Sequence, residues 1–254
     1  CLDKIMGASS HLLSLINDVL DVSRIESGRI VLSEDTFSLP EIFDNMINMI
    51  SPQIMNKHLE LFVDICGVIH EDVIGDSLRL QQIFMNIVGN AIKYTPEGGK
   101  ISVSLKEIPS DTALRSEYVF TCKDTGYGMT PEFVKKLFVP FERAEDERIK
   151  GIQGTGLGMV ITKNILEMMN GDIKVESEYG KGSTFSAHFR MKNQNKLIEN
   201  DTIPKDMSVL LIDDDEATGE STSLTLDSLG ISNTYVSAGK DAIDAVKKLH
   251  DRND

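Results

Sequence analysis

The strongest constraint on the fold is a regular apolar stripe between residues 80 and 92. Its members recur with the 3.6-residue period of an α-helix, and they are Leu80, Ile83, Phe84, Ile87, Val88, Ala91 and Ile92. Asp76 or Ser77 can cap the start of this helix, because short polar side chains accept hydrogen bonds from the first free N–H groups. The stripe therefore predicts a helix with one wholly buried face.

Shorter segments around this helix alternate between apolar and polar residues, as half-buried strands do. They are residues 59–65, 101–105, 117–124, 172–177 and 183–189. A second helix is predicted from Pro40, with a kink or an end at Pro52, and a third after a glycine-rich loop, ending at Asn170 and Gly171. Mixed helices and strands of this kind predict an α/β domain over residues 29–190.

The first 28 residues predict one long helix with a wide apolar face. Ile5, Leu12, Ile16 and Val19 follow a seam that Leu13 and Leu20 widen, and Gly28 is a typical C-terminal stop. Such a helix needs a partner helix, either from a preceding segment or from a second subunit. Because the first residue is Cys rather than Met, we expect the chain to be part of a longer protein.

The last quarter of the chain differs from the rest. Residues 191–206 are polar and aperiodic, with three basic and three acidic residues, and predict a linker. Residues 207–254 then give a strand that ends in four acids, a helix at 217–229, a strand at 231–236 and a helix at 239–250. This order predicts the beginning of a doubly wound unit.

Composition excludes some functions. The net charge of −14 argues against nucleic acid as the main partner, and a bound polyanion would need a metal ion or oriented backbone amides beside it. No apolar run reaches the length of a membrane span. Cys1, Cys66 and Cys122 lie far apart, and we interpret them as reduced thiols, the last two in the core. Reduced thiols indicate a cytosolic compartment, and we expect the chain to be the cytoplasmic part of a membrane-anchored protein.

The first polar motif, NIVGNAIKYT, lies on the predicted central helix. Asn86 and Asn90 are four residues apart and project from one face, and Lys93 and Tyr94 follow one turn later. An amide oxygen is a hard neutral ligand that suits Mg²⁺. A structural interpretation, with Asn90 as a helix cap and Asn86 in solvent, is equally consistent with this motif alone.

The second motif, DTGYGM, follows a predicted strand. The Asp124 carboxylate can accept a hydrogen bond from an exocyclic amine, and Gly126 and Gly128 let a flat ring approach the backbone. A short turn of the form D-x-G is also common without any ligand.

Two further motifs come later in the chain. In KLFVPFERAE, Phe138 and Phe141 flank a proline, and we expect Phe138 to be a core aromatic at a helix end. In GIQGTGLGM, three alternating glycines precede a helix, and their backbone amides can cradle phosphate. A dinucleotide-binding loop is excluded, because that loop follows a strand directly and this one does not.

Together, the four motifs in this order resemble the N, G1, F and G2 boxes in the ATP-binding domain of sensor histidine kinases. GSTF at 182–185 resembles that domain's last glycine-rich strand. The resemblance covers residues 1–190 and implies a two-layer α/β sandwich of the gyrase, chaperone, kinase and mismatch-repair type. It implies the following ligands of ATP: Asn86, Asn90, Lys93, Tyr94, Asp124, Gly126, Gly128, Gly154, Thr155, Gly156, Leu157, Gly158 and Thr184. Asn90 would also hold Mg²⁺, and Gly154 to Gly158 would close over the phosphates.

The same resemblance bears on the two ends of the chain. Residues 1–28 resemble the second helix of the family's dimerisation hairpin, so His11 is expected to be structural and the phosphorylated histidine to lie upstream of Cys1. Residues 207–254 resemble the start of a response-regulator receiver, in which Asp213 and Asp214 would bind Mg²⁺. Four successive acids are also found in solvated loops.

These resemblances imply a homodimeric hybrid sensor histidine kinase. ATP would donate its γ-phosphoryl group to a histidine. The histidine would then pass the group to an aspartate of a receiver, either the protein's own or a separate one. An ATPase of the same fold is less consistent with the sequence, because its water-activating glutamate is replaced here by Asn86, whose amide cannot take a proton. The third possibility is an ATP-sensing dimerisation module without kinase activity.

Overall fold

The computed structural model describes residues 2–28, 31–108, 114–144, 148, 154–194, 208–228 and 230–237. The chain divides into two compact units, one of residues 1–64 and 71–194 and the other of residues 65–70 and 195–254. In chain order the helices and strands are α1 (Leu2–Glu26), β1 (Asp35–Ser38), α2 (Leu39–Asn56), β2 (Glu60–Cys66), β3 (Asp72–Gly75), α3 (Ser77–Tyr94), β4 (Lys100–Ile108), β5 (Arg115–Asp124), α4 (Pro131–Val134), α5 (Gly158–Met168), β6 (Asp172–Glu178), β7 (Gly182–Asn193), β8 (Ser208–Ile212), α6 (Glu216–Ser228) and β9 (Ser232–Val236).

The larger unit contains a seven-stranded sheet with helices packed on it, as the sequence predicts for an α/β domain. The strand order is β1-β3-β7-β5-β4-β2, and β6 pairs with β7 as well. β7 is antiparallel to β5 along most of its length, with Ser183 opposite Asp124 and Lys192 opposite Arg115. This register decides which side chains of β5 and β7 lie on the same face.

The core lies between this sheet and helices α2, α3 and α5. An aromatic cluster joins the layers, with Phe84 of α3 stacked on Phe120 of β5 at a centroid distance of 4.2 Å. Phe43 of α2 contacts both rings edge-on, at 5.3 and 5.8 Å. Aromatic pairs of this kind bury large apolar areas and prefer stacked or edge-on contacts, so they fix α3 against the sheet.

α3 forms where the apolar stripe predicts it, and every member of the stripe is buried. Asp76 is the N-terminal cap, because its Oδ1 accepts from the N–H of Arg79 at 2.9 Å. The helix ends at Tyr94, and the Thr95 hydroxyl donates to the Ala91 carbonyl at 2.6 Å. Asn90 is therefore not a helix cap.

The ends of α2 and of β7 differ from the sequence predictions. α2 does not end at Pro52 but continues to Asn56. Residues 191–193 are not part of a linker but extend β7, where Met191 is buried and Asn193 pairs with Val73 of β3. The polar composition of these residues does not indicate a strand. The strand forms because β3 and β5 pair with its backbone, and its side chains alternate between the two faces of the sheet.

Other predicted features of this unit are present. α1 ends at Glu26, and Gly28 has a φ of +64°, as expected of a C-terminal stop. Cys122 is buried in the core, and the surrounding apolar atoms raise its thiol pKa by desolvation. The side chains of His11 and Cys66, and Cys1 as a whole, lie outside the described part of the structure.

In the smaller unit, β8 and β9 are parallel neighbours joined through α6. The Asp215 carboxylate accepts from the N–H groups of Ala217 and Thr218 and so caps α6. This β-α-β order is the one that the sequence predicts, and the predicted helix at 239–250 lies outside the described residues. Among the described helices, none is both long enough and apolar enough to cross a membrane.

Candidate functional site

A cavity of about 760 Å³ opens in the larger unit beside α3, β5 and the N-terminus of α5. Its volume falls in the range of small-molecule sites. Of the predicted ligands of ATP, it brings together Asn86, Asn90, Lys93, Tyr94, Asp124, Gly128, Gly154, Thr155, Gly156 and Gly158. Gly126, Leu157 and Thr184 do not line it. These predicted ligands, which extend over 72 positions from Asn86 to Gly158, thus share one concave surface.

The two asparagines of α3 have different roles at one wall of the cavity. The Asn86 amide donates to the Gly158 carbonyl at 3.1 Å and to the Thr162 hydroxyl at 3.2 Å. Asn86 is therefore not simply solvated but ties α3 to the first turns of α5. Asn90, one turn further on, lines the cavity and makes no side-chain hydrogen bond to any described residue.

The last turn of α3 brings a cationic side chain, Lys93, to the cavity. The Lys93 ammonium lies 4.9 Å from the centroid of the Tyr94 ring, and a Cβ atom on Gly154 would overlap it. Lys93 therefore reaches the glycine-rich loop in front of α5. This placement gives the loop a positive charge close to its backbone amides.

Lys57, at the end of α2, fixes this turn of α3, a contact that the sequence analysis missed. Its ammonium donates to the carbonyls of Ile92, Lys93 and Thr95 at 2.7, 3.2 and 2.7 Å. These carbonyls lack intrahelical partners, and a cation there also offsets the helix dipole. Desolvation lowers the Lys57 pKa.

Asp124, the last residue of β5, also lines the cavity and is buried. Burial raises its pKa, although hydrogen bonds from the N–H groups of Gly126 and Ser183 oppose that shift. The bond from Gly126 is 2.7 Å long, and a Cβ atom on Gly126 would lie only 2.5 Å from the Tyr94 carbonyl oxygen. Gly126 thus contributes a backbone donor to Asp124 at a position where a side chain does not fit.

Thr184, which the resemblance implies as a ligand of ATP, does not line the cavity. Since Asp124 pairs with Ser183, these two side chains share a face, and the structure places Ser183 and Phe185 in the cavity instead. The Ser183 hydroxyl lies 2.9 Å from that of Ser177, which also accepts from the Met129 N–H at 2.8 Å. Only the strand register distinguishes Ser183 from Thr184, and the motif GSTF does not contain it.

The glycine-rich loop leads directly into the N-terminus of α5. Gly156 has a φ of +72°, and a Cβ atom there would lie 2.9 to 3.0 Å from backbone atoms of Phe141 and Glu142. The Thr155 hydroxyl accepts from the Leu157 N–H at 3.1 Å, and α5 begins at Gly158 without a side-chain cap. Leu157 itself is buried in the core. The first N–H groups of α5 thus remain available to an anion.

The segment between α4 and this loop differs from the prediction. Phe138 is half-buried rather than a core residue, with the Lys163 ammonium 5.6 Å from its ring. Phe141 is exposed, and its N–H donates to the Gly156 carbonyl at 3.2 Å. This segment therefore holds the glycine-rich loop through its backbone.

The residues present fit a hydrated magnesium ion shared with phosphates. Mg²⁺ keeps several waters and takes few protein ligands when phosphates complete its shell, and Asn90, whose side chain carries one amide oxygen, lines the cavity. Within the described residues, no group of three or more His, Cys, Asp or Glu could hold a metal by itself.

The predicted magnesium pair of the smaller unit lies at the end of β8. Asp213 Oδ1 accepts from the Asp215 N–H at 2.9 Å, and Asp214 is exposed. The role of Asp213 and Asp214 in metal binding stays a prediction.

The residues that form this cavity lie in a region of the chain that is similar to known proteins. Residues 75–193 match the family described as histidine kinase-, DNA gyrase B-, and HSP90-like ATPase. Hybrid signal transduction histidine kinase B of Dictyostelium discoideum is 39% identical over 179 residues, which are 70% of this chain and 9% of that protein. Signal transduction histidine-protein kinase BarA of Escherichia coli (strain K12) is 38% identical over 200 residues, 78% of this chain and 22% of that protein.

Among solved structures, full-length ShkA in complex with AMPPNP has the same fold. The TM-score is 0.62 at 24% identity, and the match covers 94% of this chain and 48% of that chain. The chain spans less than a quarter of the length of the two curated relatives above. Since motifs, fold and relatives agree, residues 75–193 belong to the histidine kinase-, DNA gyrase B- and HSP90-like ATPases, and the chain is similar to the ATP-binding region of hybrid signal transduction histidine kinases.

Proposed function

We propose that this chain binds Mg²⁺-ATP in the cavity and presents the γ-phosphoryl group to a histidine that precedes Cys1 in the full-length protein. The observation that carries the proposal is the meeting of Asn90 and Lys93 of α3, Asp124 of β5 and the loop before α5 around one cavity. Each group is suited to a different part of one ligand, from the purine to the phosphates.

Asp124 would accept a hydrogen bond from the exocyclic amine of adenine. Its carboxylate is held in place by two backbone donors and is excluded from most solvent. Ser183 and Phe185 lie beside it in the cavity and would contact the ring. Guanine has a carbonyl where adenine has this amine, so the same carboxylate would repel it.

Lys93 and the first N–H groups of α5, which have no side-chain cap, would hold the phosphates. Mg²⁺ would be held by Asn90 and would neutralise phosphate charge, which this acidic chain would otherwise oppose. Asn86 would act on the phosphates indirectly, because its amide is bonded to the start of α5. Phosphoryl transfer depends mainly on such positioning and charge neutralisation.

The relatives' names support a kinase rather than a hydrolase, and Asn86 has no basic group with which to activate water.

We further propose that α1 pairs in a homodimer, because Leu12, Leu13 and Ile16 expose large apolar side chains. The receiver would be residues 207–254, with Asp213 and Asp214 as its magnesium ligands. We propose a cytoplasmic location for the chain, because its phosphoryl donor would be ATP.

Labelling tests the transfer step. The full-length protein incubated with Mg²⁺ and γ-labelled ATP should gain an acid-labile, alkali-stable label, as phosphohistidine does, and Asp124→Ala should abolish most of it at limiting ATP. The matched control is Asp172→Ala, which changes an exposed aspartate on β6. Steady release of inorganic phosphate without labelled protein would instead assign an ATPase.

A further inference from the structure

A carboxylate from α1 lies in the part of the cavity assigned to phosphates. Asp18 lines the cavity, and its Oδ2 accepts from the Thr155 hydroxyl at 2.9 Å. The two residues are 137 positions apart. The contact therefore joins the first helix of the chain to the glycine-rich loop.

Thr155 connects Asp18 to the N-terminus of α5. Its hydroxyl donates to Asp18 and accepts from the Leu157 N–H, which immediately precedes Gly158 at the start of the helix. Phosphates that bind to the first N–H groups of α5 would thus come close to the Asp18 carboxylate. Two negative groups at such a distance repel each other, and more strongly where walls of protein displace water.

A second polar contact of α1 lies outside the cavity. Asp21, three residues after Asp18, forms a two-pronged ion pair with Arg79 of α3 at 2.9 and 3.3 Å, and Gln82 donates to it at 3.0 Å. Only about 17% of each side chain of the ion pair is exposed. A ligand in the cavity would therefore not touch the contact of α1 at Asp21, whereas the contact at Asp18 lies where the ligand would bind.

We propose that Asp18 is an autoinhibitory group that competes with the phosphates of ATP for the glycine-rich loop. ATP binding would break the contact between Asp18 and Thr155 and release this turn of α1 from the loop, while Asp21 keeps the helix attached to α3. By reciprocity, docking of α1 on the loop lowers the affinity for ATP by the same factor. This inference rests on the proposed function, because it requires phosphates at the loop.

Calorimetry on the chain tests the competition. Wild type and Asp18→Asn are titrated with ATP in Mg²⁺ and, separately, with adenosine, which has no phosphate. Asp18→Asn removes the charge and keeps an oxygen that can accept from Thr155, so it should bind ATP roughly five- to tenfold more tightly, at the lower end of typical coupling between sites. Adenosine affinity should stay unchanged.

Asp44→Asn is the matched control, because Asp44 is exposed on α2, does not line the cavity, and its replacement changes the total charge equally. It should leave ATP affinity unaltered. An equal gain in both variants would mean that only net charge matters and would overturn the proposal.

Hydrogen exchange tests the release of α1. ATP should accelerate amide exchange in residues 15–22 of wild type, whereas adenosine should not. Unchanged or weaker ATP binding by Asp18→Asn, or slower exchange of α1 with ATP, would overturn the inference, and weaker binding would make Asp18 a ligand of the magnesium or phosphate group. If wild type bound no ATP, the proposed function would fail first and the inference with it.

Discussion

Asp124 illustrates how one buried side chain acquires a recognition role from its backbone neighbours. The N–H groups of Gly126 and Ser183 fix its carboxylate at the end of β5, and the cavity leaves it accessible to a ligand. We expect Asp124→Ala to weaken ATP binding by about 1.5–3 kcal/mol, the contribution of a hydrogen bond to a charged group. That is roughly a 10- to 150-fold loss in calorimetry. Equal affinities of wild type for ATP and GTP would contradict the adenine assignment.

The raised pKa of Asp124 predicts a pH dependence of binding. Burial favours its protonated form, so the pKa in the folded chain lies above the usual 3.8. The ionised form that accepts from adenine exists above this raised pKa, and ATP affinity should fall as the pH is lowered through it. Calorimetry from neutral to acidic pH should show this loss in wild type and a flatter profile in Asp124→Ala. Parallel profiles would assign the titration to another group.

Sequence reasoning found the residues whose roles depend on local spacing. Asn86 and Asn90 share a helix face, and Asp124 follows an alternating strand, so both motifs can be recognised without a structure. Ser183, Lys57 and Asp18 could not be found in this way. Their roles depend on strand register or on contacts between elements distant in sequence, which no local pattern encodes.

At the scale of elements, α3 is the scaffold of the cavity, and its last turn depends on Lys57 of α2. Lys57→Met keeps the length of the side chain but removes the ammonium from three carbonyls. We expect a loss of about 1–3 kcal/mol in the free energy of unfolding, because these acceptors lose a charged donor. Urea unfolding measures it, with Lys106→Met on the exposed side of β4 as the control. An equal, small change in both variants would show that Lys57 is not a cap.

The elements that departed from prediction did so for tertiary reasons. α2 continues past Pro52 since the helix buries Met46, Ile50 and Ile54 on one face across that position. This burial outweighs the loss of one backbone hydrogen bond at proline. β7 extends through 193 because β3 and β5 offer paired backbones there.

For the molecule as a whole, the proposed transfer requires a phosphate acceptor outside the cavity. The 254-residue chain, incubated with Mg²⁺ and γ-labelled ATP, should bind nucleotide without gaining an acid-labile label. Residues 1–28 resemble the second helix of the family's dimerisation hairpin, so His11 is expected to be structural rather than phosphorylated. Label on His11, located by peptide mapping, would reverse the assignment of α1.

If the cavity binds Mg²⁺-ATP, replacement of Asn90 should show whether this residue holds the metal. Wild type and Asn90→Ala are each titrated with ATP by calorimetry, once with Mg²⁺ and once with EDTA. If Asn90 holds the metal between the phosphates, its replacement should weaken binding strongly in Mg²⁺ and much less in EDTA, because the ion is the largest local offset to phosphate charge in a chain of net charge −14. An equal loss of affinity in the two conditions would contradict the metal role and leave Asn90 as part of the scaffold of α3.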